Sequence, residues 1–185
     1  FFFILVLLLF FSQNNLKAQE PFNFDISELE IINNGNTFKG KNGGTASTKD
    51  NLLKITAQNF EYDKLKNILY ATEKVKIEDF KKNIKIFTDD IVYIKNEEII
   101  FTRSKSTATD GNVIINGDKF EYKKNENVIH AEGNVEIIDD LNNYKIESVK
   151  ITYDMNSDII FSSGITEANI QSKYFIKSKD VLLDK

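Results

Sequence analysis

From Phe22 onward, apolar and polar residues alternate along the chain with a period of two. The pattern is plain in Phe22-Asn-Phe24-Asp-Ile26, Val75-Lys-Ile77 and Val135-Glu-Ile137, and it predicts strands with one buried face. Ile, Phe, Tyr, Val and Thr dominate these stretches. Turn signals separate them at Asn34-Gly35, Asn42-Gly43-Gly44, Asp110-Gly111, Asn116-Gly117 and Gly133-Asn134. No window of a dozen residues carries a helical stripe. The segment from Asn59 to Leu69 comes nearest, yet its Phe60 and Tyr62 fit the strand period better. The expected fold class is all-β.

The chain also repeats itself. The segment from Phe60 aligns without a gap on the segment from Phe120, and 18 of 42 positions are identical. This unit of 60 divides into halves of about 30 residues. Tyr62, Tyr93, Tyr122 and Tyr153 share one phase, each preceded two residues earlier by Phe60, Ile91, Phe120 or Ile151. Seven residues after each tyrosine stands Leu69, Ile100, Ile129 or Ile160, and nine after it a small residue. A weaker fifth copy ends the chain, with Val181 and Leu183 in place of the apolar–tyrosine pair.

Each half-unit reads as a strand, a short turn and a returning strand. A lone hairpin cannot bury its apolar face. Stacked copies share their inward rows between two facing sheets. The ends of such a stack are open edges, prone to pair with another chain.

Composition narrows the chemistry. There is no Cys, which excludes a disulfide scaffold, a thiolate metal site and a cysteine nucleophile. The single His, His130, leaves no His-based metal site. A net charge of −4 disfavours a nucleic-acid-binding face. No G-x-S-x-G, Walker loop or HExxH is present, and no nucleophile–base pair stands out. We expect no enzymatic activity, no cofactor and no metal. The opening run FFFILVLLLFF is too short to span a bilayer and fits the apolar core of a secretory signal. Residues 1–18 are therefore expected to be a signal peptide truncated at its start, cleaved after Ala18. The domain would then run over residues 19–185, and export without cysteines suits the periplasm of a bacterium.

The phrases NILYATEKVKI (67–77) and NVIHAEGNVEI (127–137) resemble the A-x-G-x-V-x-I phrase of the OstA-like domain family. That family of lipopolysaccharide transport includes the bridge protein LptA and the N-terminal domain of the assembly protein LptD. The resemblance runs from about Ile26 to Lys185. It implies a repetitive, twisted, half-open β-jellyroll whose interior carries acyl chains of lipopolysaccharide. It also implies edge-to-edge joining with other OstA-like proteins, an outer-membrane barrel, in cis or in trans, among the partners, and a place in the periplasm or at the periplasmic face of the outer membrane. The first phrase departs from the pattern with Glu73-Lys74 where the second has Gly133-Asn134, a change expected to relax one tight turn.

The candidate lipid lining is the inward row of Phe60, Tyr62, Leu69, Val75, Ile77, Ile91, Tyr93, Ile100, Phe120, Tyr122, Ile129, Val135, Ile137, Ile151, Tyr153 and Ile160. Residue types alone describe a closed core equally well; the resemblance favours a trough. Lys64, Lys66, Lys81, Lys82, Lys123 and Lys124 gather at expected turns and strand ends, where they would meet lipid phosphates or protect edges. Asp89-Asp90 and Asp139-Asp140 read as surface charge, and His130, one residue off the inward row, as exposed. Two other readings remain: a β-solenoid fragment of a secreted adhesin or glycan-binding protein, and an outer-membrane barrel fragment. The latter is discounted because Lys and Glu occupy its would-be lipid face.

Overall fold

A computed structural model of the chain describes residues 21–184; the expected signal peptide and the domain's outermost residues lie outside them. Fourteen antiparallel strands follow one another with no helix between them. They are β1 (Phe22–Ile32), β2 (Thr37–Thr48), β3 (Leu53–Ala57), β4 (Asn59–Asp63), β5 (Ile68–Asp79), β6 (Ile84–Ile94) and β7 (Ile99–Thr102). Then come β8 (Ser106–Asp110), β9 (Val113–Gly117), β10 (Lys119–Lys123), β11 (Val128–Asp139), β12 (Tyr144–Asp154), β13 (Ile159–Ile170) and β14 (Tyr174–Asp184).

The long strands belong to two layers at once. One end of β5 pairs with β4 through Tyr62↔Leu69, while its other end pairs with β3 through Ile55↔Ile77. Between these ends the register shifts at Thr72/Val75, and the same interruption recurs in β11 between Glu132 and Val135. Such bulges bend a strand, and here they fold the sheet back on itself as a wedge. The bends form its closed side and the hairpin turns line its mouth. The wedge is an all-β jellyroll of stacked hairpins, as the repeat predicts. All pairings are antiparallel, which excludes solenoid coils, and β1 and β14 do not pair, so no barrel closes.

Two details correct the sequence reading. Glu73 and Lys74 adopt the left-handed conformation (φ 65° and 54°) just as Gly133 and Asn134 do (78° and 48°), so the turn is kept rather than relaxed. Side-chain and backbone bonds hold it: Gln58 N–H donates to the Glu73 carbonyl at 3.0 Å, and Lys74 N–H to Asp89 Oδ1 at 3.2 Å. These contacts offset the left-handed penalty of roughly 1–2 kcal/mol per non-glycine residue. His130 is half-buried, its Nδ1 2.9 Å from Thr152 Oγ1 on the outer face.

Candidate functional site: the interior and its mouth

The predicted inward row converges. Every residue in it is buried, none more than 4% exposed, and all belong to one apolar cluster. Across one layer the ladder runs Tyr62–Leu69–Tyr93–Ile100–Tyr122–Ile129–Tyr153–Ile160, tyrosine alternating with aliphatic at each strand. Across the facing layer runs an aliphatic ladder, Ile55–Ile77–Ile86–Ala108–Ile115–Ile137–Ile146. The sequence pattern placed Ile77 and Ile137 in the inward row but missed Ile86 and Ile146, which are buried beside them. The aligned strands IKI (84–86) and YKI (144–146) carried the signal.

At the mouth the second layer presents a different row: Leu53–Asp79–Ile84–Asp110–Val113–Asp139–Tyr144. Aspartate alternates with apolar residues there, and this row faces the tyrosines. The Tyr122 hydroxyl donates to Asp79 Oδ2 at 3.1 Å, and the Tyr153 hydroxyl lies 3.1 Å from both Asp110 Oδ2 and Asp158 Oδ1. Each cross-mouth partner stands 43 residues before its tyrosine. Tyr62 and Tyr93 instead donate into their own turns, to Asn67 Oδ1 (2.9 Å) and Glu98 Oε2 (2.6 Å). These four buried hydroxyls thus find partners inside the protein.

The aspartates hold the turns as well. Asp79 Oδ1 accepts from Lys82 N–H, and Asp139 Oδ1 from Asn142 N–H, both at 3.0 Å. Asp139 is therefore not surface charge: it is 2% exposed, while Asp140 beside it is exposed. Asp89 and Asp90 do lie at the surface, Asp90 pairing with Arg103 at 2.8 Å. Burial raises the pKa values of Tyr93, Tyr122, Tyr144 and Tyr153 well above the ordinary tyrosine value, and nearby aspartates raise them further. All four stay protonated near neutrality, and Tyr93, Tyr122 and Tyr153 serve as donors.

At the first mouth a cleft of about 590 Å³ opens beside Tyr93 and Tyr122, lined by Lys49, Asp50, Asp79, Lys81, Lys82, Lys95, Glu98 and Lys124. Lys95 and Lys124 share the carboxylate of Glu98, and burial lowers the pKa of both ammonium groups. Among the described residues no group of His, Asp or Glu is arranged to hold a metal.

The ends of the stack differ. At one end Phe22, Phe24, Phe38 and Tyr62 pack ring against ring, centroids 5.3–6.0 Å apart, and plug the interior. At the other, β14 pairs only with β13, and its Tyr174, Phe175 and Leu182 are 53%, 76% and 65% exposed.

The all-β jellyroll is a fold shared with a solved periplasmic component of lipopolysaccharide transport. Its backbone matches the crystal structure of LptH, the LptA-homologous periplasmic component of the lipopolysaccharide transport device of Pseudomonas aeruginosa. The TM-score is 0.58 at 11% identity, covering 64% of this chain and 94% of that one. Residues 37–140 match the model of the LptC-related lipopolysaccharide-assembly family, and the chain belongs to that family. No curated protein matches its sequence.

Proposed function

We propose that the chain is a non-enzymatic periplasmic module that binds lipopolysaccharide, shields its acyl chains between the two layers, and passes it along a series of like modules. The observation that carries this reading is how the mouth is closed. Backbone pairing joins the layers through the bends, whereas at the mouth only side chains meet, through Tyr122–Asp79 and Tyr153–Asp110. Separating those pairs costs roughly 1–3 kcal/mol each. Sheltering an acyl chain gains about 0.8 kcal/mol per methylene, so a chain of about a dozen methylenes outweighs both bonds. The lining named above is then a core when empty and a lipid wall when loaded.

Joining to further modules rests on β14. Its backbone is unpaired on one side among the described residues, and its apolar side chains stand in water. Strand addition at that edge would cover them and continue both layers into a partner of the same fold, with an outer-membrane barrel at the far end of such a series.

A photoreactive residue in place of Ile91 or Ile151, carried by cells making lipopolysaccharide, is expected to crosslink to the lipid. One in place of the outward-facing Ile165 is expected not to. Capture at Ile165 alone would refute an interior path.

A further inference from the structure

The two copies of the 60-residue repeat build two mouths with one frame and opposite charge. Asp50, Asp79 and Glu98 of the first mouth correspond, 60 residues on, to Asp110, Asp139 and Asp158 of the second. Every acid of the frame is retained. The lysines are not: Lys49, Lys81, Lys82, Lys95 and Lys124 correspond to Thr109, Leu141, Asn142, Met155 and Asp184. The lining of the first cleft therefore carries five positive against three negative side chains, a net +2, in a chain whose net charge is −4.

The lysines are not needed to fold the turns. The turn after β5 closes through Lys82 N–H to Asp79, and the turn after β11 closes identically through Asn142 N–H to Asp139. Leucine and asparagine serve there as well as two lysines do. The carboxylates, by contrast, are already engaged. Asp50 accepts from Thr48 Oγ1 (2.6 Å) and Leu52 N–H (3.0 Å), Asp79 from Tyr122 and Lys82 N–H, and Glu98 from Tyr93, Lys95 and Lys124. Two partly buried ammonium groups divide one carboxylate, with their side chains only 22% and 17% exposed. Lys81 and Lys82 hold no side-chain hydrogen bond or ion pair among the described residues. Gathering like charges around a concavity opposes folding; Asp50, Asp79 and Glu98 offset part of that repulsion, and an anion entering the cleft offsets the net +2 that remains.

We infer that the cleft of the first mouth is a binding site for a phosphate monoester, with Lys81 and Lys82 as its free arms and Lys95 and Lys124 as its floor. The site lies beside Tyr93 and Tyr122, the inner wall of the mouth, so an anion held there can carry an acyl chain directly into the interior. In that form the inference rests on the lipid-shielding reading above, and it names the headgroup chemistry that the reading leaves open. The second mouth, with the same set of acids and no lysine at the five corresponding positions, takes no anion.

The test uses the full chain, dodecyl phosphate, the uncharged-headgroup dodecyl maltoside (both below their micelle concentrations) and inorganic phosphate. Two lysine contacts of about 0.7 kcal/mol each correspond to roughly tenfold in affinity. Dodecyl phosphate is expected to bind about tenfold more tightly than the maltoside. K81A/K82A should remove that preference and leave maltoside binding unchanged, and L141K/N142K should add a second phosphate-dependent site. Inorganic phosphate is expected to shift the side-chain nitrogen resonances of Lys95 and Lys124. If it binds as tightly as dodecyl phosphate, the site holds and its ligand is the free anion rather than a lipid headgroup. Equal affinity of the wild type for both amphiphiles, with no lysine shift in phosphate, would overturn the inference. Failure of the maltoside to bind would count against lipid shielding alone, because the lysine shifts read the anion site independently.

Discussion

Above pH 10 the protein is expected to unfold steeply. Tyr93, Tyr122, Tyr144 and Tyr153 are almost wholly buried, and each hydroxyl is held well above its ordinary pKa of 10.0, first by burial and then by aspartates of the mouth. A folded-state value above the unfolded one means that this contribution is complete below pH 10 and is lost as pH rises beyond it. The unfolded chain then releases protons that the folded chain keeps. Each tyrosine costs about 1.4 kcal/mol per pH unit over that range, so four cost roughly 5 kcal/mol by pH 11. A domain of ordinary stability, about 5–15 kcal/mol, unfolds within a few pH units of that onset. Circular dichroism and the ionisation of these four tyrosines should move together, and Tyr122→Phe should make the alkaline slope about a quarter shallower. Ionisation of Tyr93, Tyr122, Tyr144 or Tyr153 near pH 10 with the β signal intact would contradict the buried mouth.

Truncating the interior has the second large effect. Ile91 is fully buried, paired in register between Ala71 on β5 and Thr102 on β7. Neither small neighbour can expand into the space that Ile91→Ala leaves. The expected loss is about 2–5 kcal/mol, read as a lowered denaturant midpoint with an unchanged slope. Ile165→Ala, at a side chain 79% exposed, should stay within about 0.5 kcal/mol of the parent. Similar losses at both positions would mean that Ile91 does not sit in a packed interior.

The alternation and the 60-residue repeat carried most of the fold. The buried inward row was legible because Phe60, Tyr62 and their counterparts recur at one phase, and a buried row leaves that trace in any sequence. The bends were less legible. Leu69, Ala71, Val75, Ile77 and Asp79 keep one parity through β5, so the two-residue bulge shows only as the exposed Glu73 between Ala71 and Val75. The closure of the mouth was hidden for another reason. Asp79 and Asp110 meet tyrosines 43 residues away, and an aspartate at a strand end looks like a turn former or surface charge until its partner is known. Asp139 misled in that way. Its retention at the position equivalent to Asp79 was the available signal. The mouth charge was partly legible: Lys81, Lys82 and Lys124 stood out at expected turns. Lys49 and Lys95 joined them only when folding brought five separate segments to one cleft.

The most direct test of the account follows the isoleucine δ1-methyl resonances of the full chain during titration with lipopolysaccharide. The account predicts that Ile77, Ile91, Ile137 and Ile151, buried between the layers, shift and broaden, while the outward Ile114 and Ile165 do not. Shifts confined to Ile114 and Ile165, with the interior methyls unmoved at saturation, would contradict it.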